Sequence, residues 1–457
     1  MIEGPYAFVY LDKKQEKLWF SRDVLGRRSL LIRHWDPNTL LLSSVAGNDN
    51  DNDNDNDDGG GGGGGESVGN GWVELPAQNV FCLDLLCDSL LPSSIATYQW
   101  VDKDQDDISV PTGTFQPTIP FSQVVIDQQQ HMSLDPELQL ENRFPLVPDS
   151  WKPYIDGLQN VLIQSIRQRV ESIPIQNNDS SIPRVGILFS GGVDCITIAA
   201  LLTRILPHTE PIELFNVSFE NPRQTKAHGA SFSRYNVPDR QTGIQGWKEL
   251  CHVDPSRQWR FVQVDVPYNQ VIQYRSHIRQ LLVPSDTVMD MSIGMAIWFA
   301  ARGIGNLVSD TKEIPYTGMA KVLLLGMGAD EQLGGYSRHR SAWDRGGTEA
   351  LGLEIRLDVQ RIATRNLGRD DRVVSDNGKE ARYPFLAASV VDYLSTVPIS
   401  RKMDMRLPRG IGEKLLLRLL ARRLGLTQAS VLAKRAIQFG ARTAKMESSN
   451  TKGQDSL

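Results

Sequence analysis

Cysteine is scarce. Cys82, Cys87, Cys195 and Cys251 are the four in 457 residues, too few for a disulfide framework and without the paired spacing of a zinc site. Their expected state is the free thiol of a reducing compartment, which makes the expected location cytoplasmic. No apolar run approaches the length that crosses a bilayer, and Glu3 followed by early aromatics does not read as a secretory leader. Charge of one sign is also lacking. Asp49, Asp51, Asp53, Asp55, Asp57 and Asp58 stand in one repeat, and with these six set aside the formal −5 becomes +1. The folded part then has no net field to draw nucleic acid or an anionic membrane. An apolar content of 40% and a charged content of 23% are those of a soluble globular protein. The length predicts two or three domains.

The first 47 residues read as β structure. "YAFVYLD" (Tyr6 to Asp12) and "KLWFSRD" (Lys17 to Asp23) have hairpin spacing, and "SLLIRHW" continues as a third strand. The repeat that follows, within 48–70, has little apolar area to bury and is expected to be a disordered insertion in a surface loop. "WVELPAQNVFCLDL" returns to strand character and closes a first unit at residue 86. Residues 87–150 read as linker and irregular structure. A second unit, 151–445, opens with apolar residues at helical spacing: Ile155, Leu158, Leu162, Ile166 and Val170. Strands then alternate with helices, which predicts an α/β fold with a doubly wound parallel sheet. From Leu351 the chain is expected to be helical and basic. Residues 446–457 form a polar tail expected to be disordered.

Two glycine turns carry the chemistry. In "ILFSGGVDCITIAALL" a strand ends in Ser190-Gly191-Gly192, where backbone N–H groups converge and leave room for an anion. A helix starting near Val193 points its positive end at the same place. Asp194 there would repel phosphate unless a divalent cation lies between them, which points to Mg²⁺–pyrophosphate. The spacing is not that of a Walker motif. The bland alternative is an ordinary turn followed by an aspartate in a first helical turn. In "LLLGMGADEQLGGYSRHR" a second strand ends in Gly326-Met327-Gly328 and again sets carboxylates, Asp330 and Glu331, at a helix start. Such sheets bind ligands beyond the carboxyl ends of their strands, where both turns would lie. Asp330 as a plain helix cap remains the competing reading.

Ser-Gly-Gly-x-Asp after a strand is similar to the pyrophosphate loop of the N-type ATP pyrophosphatases. The second turn resembles "SGEGSDE…GGY" of asparagine synthetases. "GKEARYPFLAASVVDYL" and "AKRAIQFGAR" resemble two further segments of that family, and "GPYAFVYLDKKQEKLWFSRDVLGRRSLL" resembles its class II glutamine amidotransferase domain. "RNLGRDDRVVSDNGKEARYPF" looks closer still to the divergent branch of asparagine synthetase domain-containing proteins. The resemblance implies an adenine nucleotide alpha hydrolase-like (PP-loop) fold behind a truncated N-terminal Ntn-type β-rich domain. It also implies activation of aspartate by MgATP, giving β-aspartyl-AMP, followed by amidation with ammonia or glutamine nitrogen. By position, Leu188, Ser190, Gly191, Gly192, Asp194, Cys195, Val217, Gly326 and Gly328 would bind ATP. Val217 would meet adenine through its backbone, ending the second strand. Asp194 and Asp330 would hold Mg²⁺, and Lys434 would offset charge on the leaving phosphate.

Three departures stand against the full reaction. The chain begins Met-Ile-Glu, where class II amidotransferases use an N-terminal cysteine; Cys82 and Cys87 are far inside, and a truncated gene model or a fragment is the expected cause. Met327 occupies the place of the acid in "SGEGSDE", and a thioether accepts no proton. Cys195 stands where serine is usual, a poorer donor to phosphate and without an identifiable partner for nucleophilic work. An amide ligase is therefore weighed against a non-catalytic descendant that binds nucleotide or protein partners. A tRNA-modifying enzyme is the weaker third reading. It would rest on the basic residues Arg401, Lys402, Arg406, Arg409, Lys414, Arg418, Arg422 and Arg423, which are expected to be solvated faces, with one or two near the nucleotide.

Overall fold

A computed structural model describes residues 4–36, 38–47, 71–87, 90, 92–101, 119, 122, 124, 140–141, 144–145, 149–175, 179–220, 234–308 and 313–443. The predicted hairpin is present as β1 (Ala7–Asp12) and β2 (Lys17–Arg22), antiparallel with Val9 opposite Phe20. The next run is a strand, β3 (Leu31–Asp36), but in another sheet, between β4 (Thr39–Ser43) and β5 (Val73–Glu74). The first sheet is completed by β6 (Asn79–Asp84) and β7 (Ile95–Gln99), so residues read as linker supply a strand. Two short strands, β8 (Leu140–Glu141) and β9 (Phe144–Pro145), pair with each other. The Asn-Asp-Gly insertion and the tail lie outside the described residues.

The second part opens with α1 (Lys152–Val170), whose five apolar positions at helical spacing are all fully buried. Each buried side chain of that kind contributes about 1.5–3 kcal/mol, enough to set the helix's orientation. Next come β10 (Val185–Leu188), α2 (Val193–Leu202), β11 (Ile212–Phe219), α3 (Pro238–Val253), β12 (Trp259–Val266), α4 (Tyr268–Leu282) and α5 (Val288–Arg302). Then β13 (Ile304–Val308), β14 (Glu313–Thr317) and β15 (Val322–Leu324) precede α6 (Ala329–Leu333), a long α7 (Ser337–Arg365) broken at Gly346-Gly347, and α8 (Leu367–Ser375). Finally β16 (Glu380–Arg382), α9 (Ala388–Thr396), α10 (Ile399–Lys402), α11 (Leu415–Arg423) and the single turn α12 (Ile437–Gly440) reach the last described residues.

The strand order is β14-β13-β12-β11-β10-β15-β16. From β12 to β16 the pairs are parallel, whereas β13 and β14 are antiparallel additions at one edge. The expected parallel sheet is extended there by two strands the sequence did not announce: "GIGNLV" and "EIPYT" are too short and too polar to stand out. β16 corrects the expectation of helix alone beyond Leu351. Leu214 faces a core built with α1, α2, α3 and α11, and Phe215 faces one built with α4, α5 and α8, so helices cover both faces. The chain leaves β10 toward β11 on one side and returns to β15 on the other. A crevice opens beyond strand ends where the winding reverses in this way. The glycine turns follow β10 and β15, the two strands at that reversal.

The β-rich part is tied to the rest by buried charge. Glu74 pairs with Arg22 (2.8 Å) and with Arg372 of α8. Arg27 donates to the Leu386 carbonyl (2.7 Å) and holds Asp23 (2.8 Å), while Arg28 pairs with Asp371 (2.7 Å).

Candidate functional site

A cavity of about 690 Å³ lies beyond the ends of β10, β11 and β15. The first turn is shaped by contacts as well as conformation. Gly191 has φ +79°, and a Cβ there would lie 2.1 Å from the Thr242 carbonyl oxygen. Only glycine lets the turn rest on the start of α3. Thr242 Oγ1 donates to the Ser190 carbonyl (2.7 Å), and the Asn216 amide donates to the carbonyls of Phe189 and Asp239 (both 2.8 Å). Helix α2 does start at Val193, with Asp194 in its first turn. The Cys195 thiol donates to the Gly192 carbonyl (3.2 Å). Burial, and then the charge of Asp194, push this thiol up to about 11, so it stays protonated at neutral pH.

The second turn brings its carboxylate to the same point. Gly326 lacks the Cβ that would lie 2.8 Å from Cβ of Asp194, so the two turns touch. Between the aspartates stands the Lys414 ammonium. It reaches both Asp194 oxygens (2.6 and 2.8 Å) and Asp330 Oδ1 (2.7 Å). Lys434 pairs with Asp330 Oδ2 and lies 4.1 Å above the Tyr336 ring. Tyr336 donates its hydroxyl to Glu331 (2.5 Å). Burial raises the Asp330 carboxyl, but the ammoniums of Lys414 and Lys434 outweigh it and hold this group well below the usual carboxylate range. For Asp194 burial wins over Lys414, and its pKa is raised. Lys414 itself is raised, since the two carboxylates overcome its desolvation.

Leu188, Ser190, Gly192, Asp194, Cys195, Val217, Gly326, Asp330 and Lys434 of the expected set therefore share one cavity, which Met327 also lines. Val217 lies two residues before the end of β11, which runs on to Phe219. Gly191 and Gly328 do not line that cavity. Gly328, at φ +93°, caps α6, and a Cβ there would strike Leu386. Both shape the turns from behind.

Lys414 was seen in the sequence only as one of eight basic residues. Three of those eight, Lys402, Lys414 and Arg418, are buried, which corrects their reading as solvated faces. Lys402 donates to the Leu394 carbonyl (2.9 Å), and Arg418 donates to the carbonyls of Ser430 (3.0 Å) and Leu432 (2.9 Å). Lys414 has φ +57° and its N–H donates to the Leu333 carbonyl (2.9 Å). A non-glycine residue held left-handed with a buried charge marks a functional constraint. Gly335 was missed as well: a Cβ there would lie 1.9 Å from Asp330 Oδ1 and 2.5 Å from Cε of Lys414.

Two carboxylates are the right donors for Mg²⁺, but no group of three or more His, Cys, Asp or Glu placed to hold a metal occurs among the described residues. The two aspartates are already balanced by two ammoniums. A divalent cation fits here only if it arrives with phosphate oxygens that complete its shell and offset its charge. No helix among the described residues is long and apolar enough to cross a membrane.

The asparagine synthase family profile matches residues 344–452. The chain is 38% identical over 519 aligned positions to asparagine synthetase domain-containing protein 1 of Mus musculus, covering 99% of this chain and 80% of that protein. An asparagine synthetase domain-containing protein of Saccharomyces cerevisiae is 32% identical, covering 100% and 74%. A putative glutamine-hydrolysing asparagine synthetase of Methanocaldococcus jannaschii is 39% identical over 102 positions, which cover 22% and 19%. Two glycine turns meeting at one buried Lys414, together with likeness along nearly the whole chain, have one source: the chain belongs to the family of asparagine synthetase domain-containing protein 1.

Proposed function

We propose that the chain is an ATP-dependent, AMP-forming amide ligase with a PP-loop nucleotide site, the first unit (1–86) being amidotransferase-like. The observation that carries this reading is the meeting of Asp194, Asp330, Lys414 and Lys434 beyond the two strands where the sheet reverses its winding. The Ser190–Gly192 turn and the positive end of α2 receive the phosphates, and the β11 backbone near Val217 receives adenine. Asp194 and Asp330 would hold Mg²⁺, which supplies charge neutralisation between the phosphates. Lys414 fixes the separation of the carboxylates, and Lys434 faces the pyrophosphate as negative charge builds on it. An acid, aspartate on the family likeness, attacks the α-phosphorus and pyrophosphate leaves. Ammonia then displaces AMP from the acyl-adenylate, and the proton it gives up needs an acceptor.

That acceptor is where the second reading enters. Met327 lines the cavity with a thioether, and this favours a descendant that binds nucleotide or a protein partner without turnover. Exchange of labelled pyrophosphate into ATP in the presence of aspartate distinguishes them. The ligase reading expects exchange that Asp194→Asn abolishes. ATP binding with no exchange under any amino acid supports the second.

A further inference from the structure

The carboxylates that line the cavity are partnered, with one exception. Asp194 has Lys414, Asp330 has Lys414 and Lys434, Asp290 has Arg369, Asp358 has Arg338 and His339, and Glu331 accepts the Tyr336 hydroxyl. Asp239, in the first turn of α3, lines the same cavity and is 6% exposed. Among the described residues neither of its oxygens has a hydrogen bond or an ion pair. Arg240, beside it on α3, turns away to Asp265 (2.6 Å). A carboxylate kept from water without a partner is costly, and the open side from which a donor can reach this one is the cavity.

Main-chain groups set its place. The Asp239 carbonyl accepts from Nδ2 of Asn216, which donates also to the Phe189 carbonyl (both 2.8 Å). Phe189 precedes Ser190 of the first glycine turn, and Asn216 precedes Val217, the residue assigned to adenine. One turn further along α3, Thr242 Oγ1 donates to the Ser190 carbonyl (2.7 Å). Asp239 therefore stands at the junction of the strand that would meet a base and the turn that would meet phosphates. Gly440 closes over it: a Cβ there would lie 2.0 Å from Asp239 Oδ1 and 2.1 Å from Oδ2. The Gly440 N–H is spent on the Ala436 carbonyl (3.0 Å). Bare backbone thus crowds the carboxylate without satisfying it.

We propose that Asp239 recognises the ribose of the bound nucleotide, its carboxylate accepting hydrogen bonds from the 2′- and 3′-hydroxyls. This deepens the nucleotide reading above and rests on it. In a nucleotide the sugar links base to phosphate, and Asp239 occupies the corresponding link between Val217 and Ser190. A carboxylate repels phosphate, so the group it faces in this cavity is one that donates. Of the donors a nucleotide carries, the vicinal diol is the one that offers two hydroxyls to one carboxylate. Dinucleotide-binding folds use an acidic side chain on a ribose hydroxyl in the same way. Asp239 is then a specificity residue for the sugar, apart from the lysines and aspartates that face the phosphates.

The test uses the full chain with Mg²⁺ at pH 8, titrated calorimetrically with ATP, 2′-deoxy-ATP, 3′-deoxy-ATP, purine riboside triphosphate and inorganic pyrophosphate. At that pH the Asp239 carboxyl, which burial pushes up to about 7, is ionised. The parent is expected to bind the deoxy analogues about 10- to 100-fold more weakly than ATP. Asp239→Ala is expected to lose that factor for ATP and nothing further for the deoxy analogues. Its affinity for pyrophosphate, and its preference for ATP over the purine analogue, should stay those of the parent. Equal binding of ATP and the deoxy analogues by the parent overturns the assignment and needs no variant to fold. An Asp239→Ala chain that still prefers the hydroxyls, or loses its preference for the adenine amino group instead, also overturns it. A parent that binds none of the nucleotides overturns the ligase reading and this assignment with it.

Discussion

Replacing Lys414 by methionine keeps the side-chain volume and removes the ammonium that bridges both aspartates. Lys414 is 2% exposed at its side chain, and its ammonium lies 2.6–2.8 Å from oxygens of Asp194 and Asp330. The variant leaves two half-buried carboxylates facing each other, with Lys434 on the far side of Asp330 and the more distant Arg418 as counter-charge. Stripping one partner from a buried ion pair costs about 3–5 kcal/mol, and the mutual repulsion of the aspartates acts in the same direction. Denaturant unfolding of the full chain, followed by a probe of the α/β part, should show a loss of that size. Adding Asp194→Asn to Lys414→Met should recover most of it, because the uncompensated charge goes. Mg²⁺ should raise the melting temperature of Lys414→Met more than that of the parent, since the vacated place now suits a divalent cation. A loss under about 1 kcal/mol, the value of an exposed pair, with no differential effect of Mg²⁺, would refute the bridge.

Asp239 sets a pH dependence. Burial, only partly offset by Arg435, pushes its carboxyl from 3.8 up to about 7. The folded state then keeps a proton that the unfolded state has lost, so stability falls as pH rises from about 4 to about 7 and stays low above. Asp239→Asn should be more stable than the parent at pH 8, by up to about 4 kcal/mol, with the gap closing below pH 4; equal stability at pH 8 contradicts the assignment. Gly335→Ala should displace Asp330 by the clash at its Oδ1 and lower pyrophosphate exchange about 100-fold with the fold retained by circular dichroism. Unchanged exchange would mean that Asp330 is not where its chemistry is done. Met327→Glu should raise amide formation from ammonia about 100-fold or more, measured as asparagine against time, and no rise would point to a proton acceptor elsewhere.

Of the parallel strands, β10, β11, β12 and β15 were legible because each is built around an apolar run, whereas β16, Glu-Ala-Arg, was not; both glycine turns were legible because Ser-Gly-Gly-x-Asp and Gly-Met-Gly-Ala-Asp each follow such a run. Helix α1 announced itself by periodicity. The edge strands β13 and β14 did not, since one carries Asn306 and Gly305 and the other Pro315. β7 was hidden in Ser- and Asp-rich surroundings, where half-exposed strands lose their alternation.

Lys414 was the costly omission. "GEKLLLRLLARR" reads as the basic end of a helix, and nothing local says that its first lysine takes a left-handed backbone and turns inward. That conformation follows from the Leu333 carbonyl and two aspartates more than 80 residues away, which no spacing rule encodes. Asp239 escaped for the same reason: an aspartate after Val-Pro at a helix start is ordinary until Gly440 is folded over it.

The central claim is that both glycine turns serve one metal-bound nucleotide. A crystal structure with Mg²⁺ and a non-hydrolysable ATP analogue tests it most directly. The account predicts phosphates over Ser190–Asp194, with the metal touching Asp194 and Asp330 and Lys434 against the terminal phosphates. A nucleotide bound away from the Lys414 bridge, or none at millimolar concentration, would contradict it.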